Sequence, residues 1–347
     1  MALPAGLPLI PTTVIGSLAA PGWLHTVMDA IDAGAYAETD VLEVVDDAAA
    51  LAIADQERAG CDIVSEGELR RSDFIMGFYR RFEGLRPAPP HRKLGPYMYD
   101  STVVYETDGR LSAPSGLGAI DELRTGLRYA KRPLKVAVPG PLTLTNAIRI
   151  REGYRDRTDL AADLAEIVSA ELSGLVAAGC PIVQVDEPSY SAYWASPEDG
   201  VALFNRCVEG LIGRATVCLH VCFGNLRGRP QSARSYAAML AALREARADV
   251  IFLEFASREM AEVEGIVHAD LPHVIGAGVV DVKSFYRETP EDVAARLRRF
   301  LDAGLEPARL WAAPDCGFWE TPRWLAVAKL NALTAGAAMV RQTLGNR

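Results

Sequence analysis

Reactive side chains concentrate at Cys218-Leu219-His220-Val221-Cys222, followed by Phe223-Gly224-Asn225. The run reads as a buried strand that ends in a glycine turn. Side chains on a strand repeat every two residues, so His220 and Cys222 point into one space. Imidazole beside thiolate is a donor pair that favours zinc. Two other segments carry matching groups to predicted strand ends: Asp249-Val250-Ile251-Phe252-Leu253-Glu254 and Leu310-Trp311-Ala312-Ala313-Pro314-Asp315-Cys316-Gly317. Together they predict one zinc ion held by His220, Cys222, Glu254 and Cys316. A lone His-x-Cys or Pro-Asp-Cys-Gly occurs by chance, and Glu254 alone fits an ion pair inside a barrel, so the reading rests on the set. Structural zinc sites favour close Cys-x-x-Cys pairs and four closed ligands, whereas ligands spread along a chain, with a carboxylate among them, suit an exchangeable catalytic site.

Strand-like and helix-like segments alternate throughout and must position these groups. Strands are predicted at 12–15, 62–65, 134–138, 182–185, 218–222, 249–254, 274–280 and 309–313. Helices are predicted at 40–59, 119–130, 159–178, 197–213, 232–247, 259–269, 290–303 and 322–344. Such alternation implies a parallel sheet, and eight units imply an α/β fold of the closed (β/α)8 TIM barrel kind. Ala59-Gly60-Cys61-Asp62-Ile63-Val64 is echoed by Ala178-Gly179-Cys180-Pro181-Ile182-Val183, each a helix end, a glycine stop and a strand start. Residues 78–118, rich in proline and arginine, read as an insertion or flap after the second strand, with 97–111 forming a hairpin around Asp108-Gly109. Residues 1–347 then make a single catalytic barrel carrying that insertion.

The unusual polar residues fall at the C-terminal strand ends: Ser17, Glu68, Asp186, His220 with Cys222, Glu254, Asp281 with Lys283, and Cys316. Barrel enzymes build their sites at that face. Gathering so many ionisable groups is costly unless they are paired or metal-bound, which favours catalysis over a purely structural barrel.

Composition narrows the function classes. The chain has 347 residues, 50% hydrophobic and 23% charged, as ordinary globular proteins do. A net charge of −9 argues against nucleic acid as the main partner. Residues 1–11 are apolar but lack a basic leader and are broken by prolines, which makes a poor signal peptide. No apolar run reaches the roughly 18 residues of a membrane span, and 324–340, with Lys329 and Asn331, reads as a buried helix. Six cysteines without disulfide spacing fit a cytoplasmic chain with metal or catalytic use. Cys61, Cys180, Cys207 and Cys218 are expected to pack in the core.

As a set, these residues resemble the C-terminal catalytic barrel of cobalamin-independent methionine synthase. The likeness runs from Ile15-Gly16-Ser17 to Pro314-Asp315-Cys316-Gly317. It passes through Glu66-Gly67-Glu68 with Arg71 and Asp73, Gly140-Pro141, Gln184-Val185-Asp186-Glu187-Pro188, His220-Val221-Cys222, Glu254, and Ile275-Gly276-Ala277-Gly278-Val279-Val280-Asp281. The resemblance implies zinc on His220, Cys222, Glu254 and Cys316, and homocysteine on Ser17, Glu68 and Asp186. A thiol of pKa about 8.5 is a modest nucleophile at neutral pH, and coordination to zinc deprotonates it. Glu68 and Asp186 would hold the substrate ammonium by charge-assisted hydrogen bonds. The amine that leaves methyltetrahydrofolate must be protonated, a task assigned to Asp186 or to an acid near Asp281.

Departures bear on the methyl donor. Full-length members carry a second, N-terminal barrel that this chain does not show, so methyltetrahydrofolate and methylcobalamin or a corrinoid protein are both expected donors. Lys283 stands where the family has a relay histidine, and Ala147 where a tryptophan stacks on the pterin. The run Phe223-Gly224-Asn225-Leu226 replaces a serine-containing turn. A second reading resembles epoxyalkane:coenzyme M transferase, whose sulfonate thiol would want arginines such as Arg70, Arg71, Arg80 and Arg81. A metal-free barrel of the uroporphyrinogen decarboxylase type leaves His220, Cys222 and Cys316 unexplained, and a non-enzymatic zinc barrel leaves the strand-end acids unexplained.

Overall fold

The apolar run of residues 274–280 is buried at every position, as a parallel strand between barrel interior and covering helices must be. The computed structural model describes residues 3–71, 74–92, 101–191, 194–225 and 234–345. Asp73, Leu226, residues 97–100 and residues 232–233 of the predicted elements lie outside these. The described strands are β1 (Glu83–Arg92), β2 (Ser101–Ser112), β3 (Lys135–Pro139), β4 (Ile148–Glu152), β5 (Ile182–Asp186), β6 (Thr216–Val221), β7 (Val250–Glu254), β8 (Val274–Val280) and β9 (Leu310–Pro314).

One parallel sheet runs β3-β5-β6-β7-β8-β9. The segments predicted as the first two strands complete the ring only as single bridges, Thr12 to Ala312 and Val64 to Leu134. The Ile63 N–H donates to the Thr12 carbonyl at 3.1 Å and closes the circle. Side chains explain why these segments are not longer ladders. Asp62 takes both the N–H and the hydroxyl of Thr12, each at 2.8 Å. The Gln56 amide pairs with the Ser65 carbonyl at 2.8 Å and its N–H at 2.9 Å. Local side-chain bonds compete with sheet pairing.

Glu38–Ala59 ends at Gly60, whose φ of +91° suits a residue without Cβ. Arg157–Ala177 is capped by Asp156, and Pro290–Asp302 by a Thr289 capping box. Two predicted helices are shorter than expected. Among the described residues of the first, only Leu240–Arg244 is α-helical, after a 3-10 turn at Ala237–Met239. The second is reduced to Val263–His268 because Glu259, Met260 and Glu262 hold positive φ of 54°, 61° and 66°. The Glu262 carboxylate is tied there by the Tyr236 N–H and the Ser235 hydroxyl. The final helix, Arg323–Gly345, buries Lys329 against Glu288 at 2.7 Å, while Trp324 at its start is exposed.

The insertion is a hairpin, but its turn is not Asp108-Gly109. Those residues sit inside β2, which runs antiparallel to β1 with Arg86 opposite Glu106. The close backbone approach here needs Gly153 rather than Gly109: a Cβ on Gly153 would sit 2.4 Å from the Gly109 carbonyl carbon, whereas one on Gly109 would lie 4.0 Å from Gly84. β4 joins the hairpin in parallel to β2, an element the sequence pattern did not reveal.

Inside the barrel, Cys218, Phe252, Trp311 and Ile182 share one buried cluster. Cys218 is thus core, as expected, and Cys61, Cys180 and Cys207 are buried too. Among the described residues no helix is long and apolar enough to cross a membrane.

Candidate metal centre and active site

Register places the first pair of functional groups. Asp186, the last residue of β5, lies opposite His220 of β6, and their side chains meet with Nδ1 3.0 Å from Oδ1. A carboxylate only accepts, so Nδ1 carries the proton and Nε2 presents its lone pair. That Nε2 is buried and has no hydrogen-bond partner. Cys222 follows β6 on the same face. Cys316 arrives after β9, and the two Sγ atoms stand 3.7 Å apart. The donor atoms of His220, Cys222 and Cys316 all lie within 4.8 Å of one another. Two thiolates on a tetrahedral zinc, each about 2.3 Å from it, would lie about 3.8 Å apart. The orphaned nitrogen and the sulfur spacing both fit a metal.

Glu254 stands beside this triad rather than in it. It is fully buried; one oxygen accepts from the Ser257 hydroxyl at 2.6 Å. The other accepts from the Phe223 N–H at 3.2 Å and from the Lys283 ammonium. Lys283 therefore reaches the centre through Glu254. Burial pulls its pKa down, but Glu254 and the two thiols hold it above the ordinary range. The hydrogen bond from Cys222 holds the Cys316 thiol down, to about 6, with His220 and Lys283 helping against burial. The same bond and burial push Cys222 up.

Asp315 anchors the loops that carry these ligands. Its carboxylate accepts the N–H groups of Phe255, Ala256 and Ser257 at 2.8, 2.9 and 2.6 Å, tying the end of β7 to Cys316. Tyr236 adds a second tie, accepting from the Glu254 N–H at 2.7 Å and donating to the Val221 carbonyl at 3.0 Å.

A cavity of about 170 Å³ opens above, lined by Ser17, Glu68, Asp186, His220, Cys222 and Cys316 among others. Glycines let its walls close in. A Cβ on Gly16 would lie 2.1 Å from Glu68 Oε1, and one on Gly317 2.0 Å from Ser17 Oγ. Glu68 Oε1 is buried and has no partner. Burial pushes the Glu68 carboxyl up to about 7 against the pull of Arg71. Arg71 is already bound: Nη1 lies 3.2 Å from Glu68, and Nε and Nη2 grip Glu122 at 2.7 and 2.6 Å.

Residues 10–339 match the family described as cobalamin-independent synthase, catalytic domain. The chain belongs to the cobalamin-independent methionine synthase family. It is 32% identical to the methionine synthase of Sulfurisphaera tokodaii over 343 residues, covering 98% of this chain and 95% of that one. It is 31% identical to that of Saccharolobus islandicus over 338 residues, covering 97% of each. The solved B12-independent methionine synthase from Shewanella sp. W3-18-1, in complex with selenomethionine, superposes with a TM-score of 0.83 at 27% identity, covering 98% of this chain and 100% of that one.

This cobalamin-independent methionine synthase family member is a methyltransferase, and His220, Cys222 and Cys316 gather metal-donor atoms at the mouth of its barrel. Of the predicted residues, Asp281 is turned away from the cavity. Its carboxylate accepts the Lys283 N–H at 2.8 Å and shapes the turn after β8. Asn146 was missed: it lines the cavity, its Nδ2 donates to Ser189 at 3.0 Å, and its Oδ1 has no partner. Its position shortly after Gly140-Pro141 was the available signal.

Proposed function

We propose that this chain moves a methyl group onto the sulfur of homocysteine to give methionine, at a zinc ion held by His220, Cys222, Cys316 and Glu254. The observation that carries the reading is the unpartnered, buried Nε2 of His220 beside two sulfurs 3.7 Å apart, on the floor of a cavity whose wall offers an unpartnered Glu68 oxygen. Zinc, when bound, supplies the positive charge that keeps a substrate thiol deprotonated at neutral pH. Ser17, Glu68 and Asp186 would bind the amino acid end of homocysteine, with the two carboxylates on its ammonium. The new sulfur–carbon bond forms as the donor–methyl bond breaks, and the leaving group keeps the electron pair. A folate amine also needs a proton from a general acid; Asp186, ionised to hold His220 and the ammonium, is not its source, and Asp281 and Lys283 act by shaping and charging the loop beside Glu254. The donor is a methylated folate, or methylcobalamin or a corrinoid protein.

The coenzyme M reading finds less support. A sulfonate wants a free arginine in the thiol cavity, but the charge of Arg71 is already matched by Glu68 and Glu122, although its Nη1 makes no hydrogen bond, Arg70 pairs with Asp46 at 2.9 Å, and Arg80 and Arg81 line a different cavity. We take residues 1–347 as one cytoplasmic catalytic unit with 78–118 inserted into it. The test is metal analysis of purified protein followed by a matrix of homocysteine and coenzyme M against methyltetrahydrofolate, methylcobalamin and epoxypropane. One zinc per chain and methionine from a methyl donor are expected. Zinc-free protein with full activity, or turnover of coenzyme M alone, would overturn the reading.

A further inference from the structure

Beneath the metal-binding layer the barrel interior holds a lysine that the proposed reaction does not use. Lys135, the first residue of β3, is 1% exposed. Its ammonium lies 2.5 Å from Gln184 Oε1 and 4.2 Å from the centre of the Phe252 ring. A buried ammonium is costly, and an apolar side chain would fill the space more cheaply. What it secures is orientation. Ammonium has only donors, so it must face the Gln184 oxygen, which turns Nε2 the other way. Gln184 Nε2 then donates to the Ile15 carbonyl at 2.9 Å and to Asp186 Oδ1 at 2.7 Å. The same Asp186 oxygen receives His220 Nδ1 at 3.0 Å. An unbroken line of hydrogen bonds thus runs from a buried cation to the free nitrogen of a metal-binding histidine.

We propose that Lys135 is a positioning residue for the metal centre: through Gln184 it locks Asp186, and through Asp186 it fixes which nitrogen of His220 faces Cys222 and Cys316. The inference rests on the proposed zinc centre. Partners outside the coordination sphere that orient a metal-binding histidine typically change metal affinity by about 10- to 100-fold when removed.

The variants are Lys135→Met and Gln184→Met, each close in length to the residue it replaces and uncharged. Zinc affinity is read by competition with a chromophoric chelator, ligand geometry by the visible absorption of the cobalt(II)-substituted protein, and folding by circular dichroism. Each folded variant should bind zinc about 10- to 100-fold more weakly and shift the cobalt bands. The double variant should be no worse than the weaker single one, because one line is cut twice. A folded single variant with wild-type zinc affinity and an unchanged cobalt spectrum would overturn the proposal, as would fully additive losses. Should Lys135→Met fail to fold, Gln184→Met decides alone. A wild-type protein that takes up no zinc would sink the metal centre itself, and this inference with it.

Discussion

Glu68→Gln isolates one interaction in the cavity. The substitution keeps the shape of the side chain and removes its charge. Arg71 loses one partner but stays fixed by its two bonds to Glu122 and by the Ala137 carbonyl at 2.5 Å, so the wall should hold. What is lost is a charged acceptor whose Oε1 has no other partner in the protein. A hydrogen bond to a charged group contributes about 1.5–3 kcal/mol, and each 1.36 kcal/mol is about tenfold. Homocysteine affinity should therefore fall by about ten- to a hundred-fold, with zinc content unchanged. The assay is calorimetric titration of zinc-loaded protein with homocysteine and with its desamino analogue, which lacks the ammonium. The loss should appear for homocysteine and nearly vanish for the analogue. A pH series adds a second axis. Burial raises the Glu68 carboxyl to about 7, so wild-type affinity should weaken as pH falls through that value and protonates it. The glutamine variant should lack this step. Equal losses for both ligands, or unchanged homocysteine affinity, would refute the assignment of Glu68 to the ammonium.

Cys316→Ser should cut zinc affinity steeply and abolish methyl transfer, because it removes one of two sulfurs 3.7 Å apart; zinc analysis after dialysis against a chelator reads it, and full retention would contradict the centre. Metal-free protein should lose stability as pH rises from about 5 to above 8. Burial lifts Glu66 and Glu187 from 4.5 to about 8 in the folded state, so the native form holds extra protons in that window and loses their benefit as they titrate. Melting temperature against pH checks the sign, and Glu187→Gln should flatten the slope; stability that climbs across the window would contradict it. Gly276→Ala should lower the melting temperature by several degrees, since its Cβ would sit 2.1 Å from the Phe252 ring and overpacking costs about 1–3 kcal/mol. An unchanged melting temperature would mean the barrel interior has slack at that point.

The fold was legible where one rule acted alone. Residues 182–185, apart from Gln184, and 274–280 are short apolar runs on both faces, and both are strands. Thr289-Pro290 and Gly60 mark helix ends by capping chemistry, and the ends fall there. Legibility failed where two rules compete. Asp108-Gly109 is a turn signal by residue type, yet both residues lie inside β2, where Asp108 pairs with Glu152 of β4. Residues 259–262 are periodic enough for a helix, yet the Glu262 carboxylate gains more by holding Tyr236 and Ser235 than by joining one. The candidate site was legible to the extent that donor types and strand parity determine it. His220, Cys222 and Cys316 share a face for those reasons. Asn146 and Lys135 escaped because neither parity nor residue type distinguishes a polar side chain that serves the site from one that serves the fold.

Glu254 and Lys283 extend that lesson to charge. The sequence reading has Glu254 among the metal ligands and Lys283 where the family carries its relay histidine; in the structure the two side chains pair beside His220, Cys222 and Cys316. With both thiols ionised, two thiolates, one carboxylate and one ammonium leave two negative charges, the amount a divalent cation cancels. Buried charge that is not balanced is costly, and without metal a proton shared between Cys222 and Cys316 removes one of the two charges. The pair then supplies what a histidine at position 283 cannot supply at neutral pH, a permanent positive charge beside Glu254. In the proposed four-donor centre, that charge would make Glu254 the weakest donor beside His220, Cys222 and Cys316.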